Sequence, residues 1–102
     1  MNKISIALMV AAGLVLSVQA RAADESALAK TKNCMTCHTV DKKLIGPAYK
    51  DVAAKYKASD IPALSDKVMK GGSGVWGAVP MAPNAVTKDE ATRLVTWILS
   101  LK

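Results

Sequence analysis

Cys34-Met35-Thr36-Cys37-His38 gathers the entire Cys and His content of this 102-residue chain, two thiols and one imidazole, into five consecutive positions. In the spacing C-x-x-C-H each thiol can add across one vinyl group of a haem, and the adjacent imidazole reaches the iron from the proximal face. Two intervening residues set the sulfurs about one helical turn apart, which suits the vinyl positions on one porphyrin edge. The next residue then points beneath the ring. Other chemistries fit these side chains less well. A thioredoxin-like redox pair needs a βαβ context, and no convincing strand pattern follows the motif. A structural zinc site wants four ligands, so a carboxylate would have to complete one here. A Cys34–Cys37 disulfide would close a very small loop and contribute little cross-linking entropy. A chance match would leave the thiol pair without a use.

An iron that exchanges single electrons keeps one full set of ligands in both redox states, because a fixed shell leaves little to rearrange. With no second His in the chain, the ligand opposite His38 is sought among the methionines. Met1 and Met9 fall in an N-terminal leader, and Met35 sits inside the attachment motif on the wrong face. Met69 falls at helical spacing near the end of an amphipathic stretch, where a Met more often fills core. Met81 lies in Val79-Pro80-Met81-Ala82-Pro83-Asn84, where two prolines restrain the backbone and preclude a regular helix. A rigid loop can hold a thioether against iron, so Met81 is preferred and Met69 is the alternative. A peroxidase or a ligand-binding sensor would need an open iron position and a distal acid–base residue, and no second His serves that role.

The leader comprises residues 1–22. Met1 to Lys3 supply a positive start, Ile4 to Val18 form an almost unbroken apolar run, and Ala20-Arg21-Ala22 places small residues at the −3 and −1 positions of a signal-peptidase site. Cleavage after Ala22 is expected, with Ala20 the second choice. An uncleaved anchor is the other reading, but the run is shorter than the ~20 residues that cross a bilayer. Losing Lys3 and Arg21 takes the basic residues from 14 to 12 against 8 acidic ones, so residues 23–102 carry a formal +4. Basic and acidic residues interleave and aromatics are few, which gives nucleic-acid binding little support. One small domain is the ceiling, and at about 80 residues an apolar core alone is marginal, so a large apolar group is expected within it.

The elements that must position these residues read as helices. Asp24 or Ser26 can cap a first helix that runs towards Cys34. Pro47 suits the first turn of a second, in which Tyr49, Val52, Ala53 and Tyr56 recur at i, i+3, i+4 and i+7. Ser59 or Asp60 can cap a third, with Pro62 near its start, Ile61, Leu64 and Val68 on one side, and Gly71-Gly72 to stop it. Thr87-Lys88-Asp89-Glu90 has the spacing of a capping box, Val86 and Ala91 can staple across it, and Ala91, Leu94, Val95 and Ile98 form one apolar face. Helices of this size bury a thin core, so a haem must supply much of the remaining apolar contact.

Residues 23–102 resemble the short bacterial class I cytochromes c of the cytochrome c-551 type. The match rests on the attachment motif together with Gly46-Pro47-Ala48-Tyr49-Lys50-Asp51-Val52-Ala53-Ala54-Lys55-Tyr56, Gly74-Val75-Trp76-Gly77, Pro80-Met81 and Pro83-Asn84-Ala85-Val86. The resemblance implies an all-α fold of four to five helices around one covalent haem c, with the first and last helices crossing. It also implies that Pro47 offers its carbonyl to the second nitrogen of the His38 ring, that the Trp76 indole meets a buried haem propionate, and that Asn84 contacts the axial Met sulfur. A plain core aromatic is the other reading of Trp76. Two positions depart from the family pattern. Lys67 stands where well-known members carry a propionate-contacting Arg, and Ala78 replaces a Pro beside the ligand loop. A point charge in place of a planar fork weakens the first contact, and the second change loosens the loop slightly.

By this resemblance the chain is expected to be a monomeric periplasmic electron carrier, not an enzyme, with no stable membrane insertion once the leader is removed. It would exchange electrons with larger redox proteins, with nitrite reductase or a terminal oxidase as acceptor. An exposed haem edge ringed by Met35, Leu44, Ile45, Val79 and Pro80 would form the contact, with Lys30, Lys32, Lys42, Lys43 and Lys70 on its rim. Reduction removes the net positive charge of ferric haem, so apolar surroundings and a soft thioether ligand favour a positive potential.

Overall fold

The structure, a computed structural model, describes residues 22–102, so the expected leader lies outside the described residues as far as Arg21. Four α-helices are present among them: α1 (Ser26–Thr31), α2 (Tyr49–Lys55), α3 (Ile61–Lys70) and α4 (Lys88–Leu99), with short 3₁₀ turns at Cys34–Thr36 and Ala58–Asp60. No strand occurs among the described residues, and the one β-like contact is a bridge between Gly72 and Met81. None of the described helices is long and apolar enough to cross a membrane.

Helix α4 organises the packing. Thr87 accepts a hydrogen bond from the Glu90 N–H at 3.1 Å while the Glu90 carboxylate accepts from the Thr87 N–H at 3.0 Å, which is the capping box expected from the spacing. A cap of this kind stabilises a helix by about 1 kcal/mol. The expected face of Ala91, Leu94, Val95 and Ile98 is buried, and Trp97 and Leu99 are buried with it, because α4 packs against both α2 and α3. Ala29 of α1 and Tyr49 of α2 join Leu94, Trp97 and Ile98 in one core cluster.

Two ion pairs tie α1 to α4. The Arg93 guanidinium donates through Nε to Glu25 Oε1 at 3.0 Å and through a terminal nitrogen to Glu25 Oε2 at 2.9 Å, a bidentate pair whose carboxylate side is nearly buried. Lys32 reaches Glu90 at 3.6 Å. The cap position of α1 therefore falls on Glu25, whose side chain goes to α4, while Asp24 accepts the Ser26 N–H at 2.9 Å.

Pro47 does not enter α2 as the sequence suggested. The helix begins at Tyr49 with Ala48 at its cap, and its first N–H groups are held by distant carbonyls: Tyr49 donates to Thr39 O at 2.9 Å and Lys50 to Val40 O at 3.1 Å. These bonds fasten the segment after the Cys-Cys-His motif to the start of α2 and leave the Pro47 carbonyl for another partner. Helix α3 follows a 3₁₀ turn in which the Asp60 carboxylate accepts the Lys57 N–H at 2.8 Å, and it stops at Gly71, whose φ of 74° lies in the left-handed region that glycine tolerates.

Candidate haem site

Asn33, at φ 63°, reverses the chain between α1 and the attachment motif, and Asn is among the few residues that visit this region readily. Residues Cys34–Thr36 then form a 3₁₀ turn closed by the Thr36, Cys37 and His38 N–H groups, which donate to Asn33 and Cys34 carbonyls at 3.1 to 3.2 Å. At three residues per turn, side chains three apart eclipse, so Cys34 and Cys37 share a face while the two residues between them point elsewhere. Both cysteines and His38 line one cavity of about 640 Å³, whereas Met35 packs against the interhelical core.

His38 is held from several sides. Its Nδ1 lies 2.8 Å from the Pro47 carbonyl oxygen. A carbonyl can only accept, so Nδ1 carries a proton, and in the neutral ring Nε2 is the nitrogen with the lone pair that can bind a metal. Gly46 lies against the ring: a Cβ there would fall 2.8 Å from Nδ1, 2.9 Å from Nε2 and closer still to Cε1, a spacing that places it over the ring face. The Gly46 N–H donates to Cys37 O at 2.7 Å and fixes this approach. The buried Tyr49 ring also stacks on His38, with centroids 4.9 Å apart and planes at 23°. Burial pushes the Tyr49 hydroxyl well above its usual range, with Cys34 adding to the effect. Burial likewise pushes the Cys34 thiol up, opposed in part by the Tyr49 hydroxyl. Cys34 thus stays a protonated thiol at neutral pH.

Met81 lines the same cavity and Met69 does not. The loop that carries Met81 is attached to the end of α3 at several points. Met81 N–H donates to Gly72 O at 2.7 Å and Gly72 N–H to Met81 O at 3.0 Å. Asn84 donates to the Val68 carbonyl twice, through its backbone N–H at 3.2 Å and its side-chain amide at 2.9 Å. Gly71 permits the approach, since a Cβ there would meet Met81 O and would lie 2.9 Å from Pro83 N. Asn84 therefore acts in this structure as a clamp between α3 and the Met81 loop, and it also lines the cavity.

The remaining wall is apolar. Leu44, Ile45, Val75, Trp76 and Val79 are the large hydrophobic residues exposed among those described, from 41% for Trp76 to 66% for Val79, and every one of them lines this cavity. Such a concentration of uncovered apolar surface marks a site for a large apolar ligand. Trp76 is thus not a core aromatic. Its ring meets the Tyr56 ring edgewise at 6.4 Å, and Lys55 Nζ lies 5.4 Å from its centroid. Lys67 also borders the cavity, its side chain folded over Gly72, where a Cβ would lie 3.0 Å from Nζ. Among the described residues no group of three His, Cys, Asp or Glu side chains could hold a bare metal ion. Two thiols on one face, an unprotonated imidazole nitrogen, a thioether and an apolar wall fit haem c.

Fold and site define a small helical protein built to hold one covalent haem. A family model for cytochrome c matches residues 22–102. Cytochrome c-551 of Pseudomonas aeruginosa is 47% identical over 96 residues, covering 92% of each chain. Cytochrome c2 of Rhodocyclus tenuis is 59% identical over 87 residues, covering 78% of this chain and 95% of the relative. The crystal structure of wild-type Nitrosomonas europaea cytochrome c552 superposes with a TM-score of 0.72 at 49% identity, covering 74% of this chain and 98% of that one. The chain belongs to the cytochrome c family, and it is a small electron carrier with one haem c, not an enzyme.

The close approach at Gly46 yields a direct test. Gly46→Ala forces a methyl group into the His38 ring, and overpacking of this kind costs about 1–3 kcal/mol. The haem-loaded variant should melt lower by roughly 4–8 °C per kcal/mol lost. An unchanged melting midpoint would show that Gly46 does not confine the imidazole.

Proposed function

We propose that this protein is a periplasmic electron carrier in which His38 and Met81 ligate the iron of a haem bound through Cys34 and Cys37. The observation that carries the reading is the single cavity onto which both cysteines, the His38 ring and Met81 converge. The haem supplies a one-electron iron couple. The residues of the chain limit what else changes when that couple turns over. The Pro47 carbonyl holds Nδ1 in its protonated form, and the Gly72–Met81 bridge and the Asn84 clamp hold the thioether loop. Both ligand carriers are tied to helices, so neither shifts far as the charge changes. Trp76 and Lys67 border the cavity where a polar N–H and an ammonium could meet propionates.

The leader directs export, with cleavage after Ala22, and residues 23–102 work as a monomer outside the cytoplasm. Transfer partners are larger redox proteins, with nitrite reductase or a terminal oxidase as acceptor. Leu44, Ile45, Val79 and Pro80 form the apolar contact, and the exposed Lys42 and Lys43 lie beside it in sequence. Lys32 contributes less, because its ammonium is turned towards Glu90. A small apolar patch near lysines favours fast, weak docking to acidic partners and release after transfer.

Two measurements test this reading. Met81→His should keep the haem six-coordinate and lower its potential, each ~59 mV being a factor of ten in a one-electron equilibrium. Met69→Leu should leave the potential unchanged, and an unaltered potential in Met81→His would remove Met81 as the ligand. Electron exchange with an acidic redox protein should slow as salt rises from low to physiological strength; a flat salt profile would eliminate the docking role of the lysines.

A further inference from the structure

We propose that Tyr49 is a positioning residue for the proximal ligand, its ring fixing the rotation of the His38 imidazole about the axis from Nε2 to the iron. The inference rests on His38 being an iron ligand. A single hydrogen bond holds a ring at one point and leaves it free to swing about the N–H···O line. The bond from Nδ1 to Pro47 O is such a restraint, and Gly46 bounds the ring only with its backbone near Cε1, so a ring-sized contact is needed to set the plane. Tyr49 supplies it, lying over the imidazole with centroids 4.9 Å apart and planes at 23°.

Tyr49 is itself immobilised. It is 4% exposed, and its N–H donates to Thr39 O at 2.9 Å. Its ring meets the edge of Trp97 at 5.7 Å and 83°. Trp97, 6% exposed on α4, belongs with Tyr49 to the central core cluster. The imidazole can turn only if Tyr49 moves, and Tyr49 can move only if the core against α4 repacks. A route of direct contacts thus runs from the α4 core through Trp97 and Tyr49 to the ligand, and it sets the plane in which the imidazole π-orbitals meet the iron. The stack uses the ring and not the hydroxyl, so phenylalanine should serve equally.

In the haem-loaded ferric protein the paramagnetically shifted haem-methyl resonances report the planes of the axial ligands. Tyr49→Phe should leave their order and spread as in the wild type. Tyr49→Leu should reorder or compress them, while the upfield Met81 methyl resonance of the reduced protein stays in place, which separates a turned imidazole from a turned thioether. Trp97→Phe, which weakens the brace and keeps the stack, should move the haem methyls the same way by less. An unchanged pattern in Tyr49→Leu overturns the proposal; if that variant does not accumulate folded, an unchanged pattern in Trp97→Phe does so. Absence of hyperfine-shifted His38 ring-proton resonances from the ferric wild type would remove His38 as a ligand, and the proposal would fall with it.

Discussion

The hydrogen bond from His38 Nδ1 to the Pro47 carbonyl is the constraint to which much of this structure answers. It requires Pro47 to lie beside the imidazole, which requires the loop after the motif to return to the start of α2. Thr39 and Val40 carbonyls accept the first α2 N–H groups and make that return, and the contact of Gly46 with the ring leaves no room for a larger residue at the bend. The same fold-back brings Tyr49 onto the imidazole and carries it into the core beside Trp97. A carbonyl that accepts from one ring nitrogen settles the tautomer and orientation of the imidazole and raises the basicity of the other nitrogen.

At Met81, which lines the same cavity, the chain positions a side chain by other means. A thioether has no proton to fix, so the loop backbone must place the sulfur. Prolines on either side of Met81 limit its freedom, the bridge to Gly72 sets its height, and Asn84 fastens the far end to the last turn of α3. Since α3 packs on α4 and α2 packs on α4, the segments that hold His38 and Met81 both refer to one helix. The Glu25–Arg93 and Lys32–Glu90 pairs add α1, and with it the start of the attachment motif, to that same reference.

What the sequence revealed and what it hid separate by distance along the chain. The attachment motif and the α4 capping box are local, with partners three or four residues apart, so their spacing alone states their geometry. The preference for Met81 over Met69 followed from proline chemistry, which is also local, and Met81 is the one of the two that lines the cavity. The packing of Met35 against the interhelical core depends on the 3₁₀ form of the motif, in which i and i+3 eclipse and the intervening residues turn away from the sulfurs. The ring of Pro47 suits a first helical turn, whereas the use of its carbonyl by His38 lies outside any local pattern and is legible only through the family resemblance. The Tyr49–His38 stack, the bidentate Glu25–Arg93 pair, 68 positions apart, and the Asn84 bond to Val68 depend on how helices meet, and each residue type had an ordinary reading in isolation.

The account stands on an iron closed by His38 and Met81, and one experiment reaches that claim directly: an absorption spectrum of the purified haem-loaded protein, oxidised and reduced. The ferric form should show the weak far-red band that Met sulfur gives with haem iron, and carbon monoxide should leave the reduced spectrum unchanged. Absence of that band together with ready binding of carbon monoxide would contradict the account, because the iron would then be open and Met81 would not be its ligand.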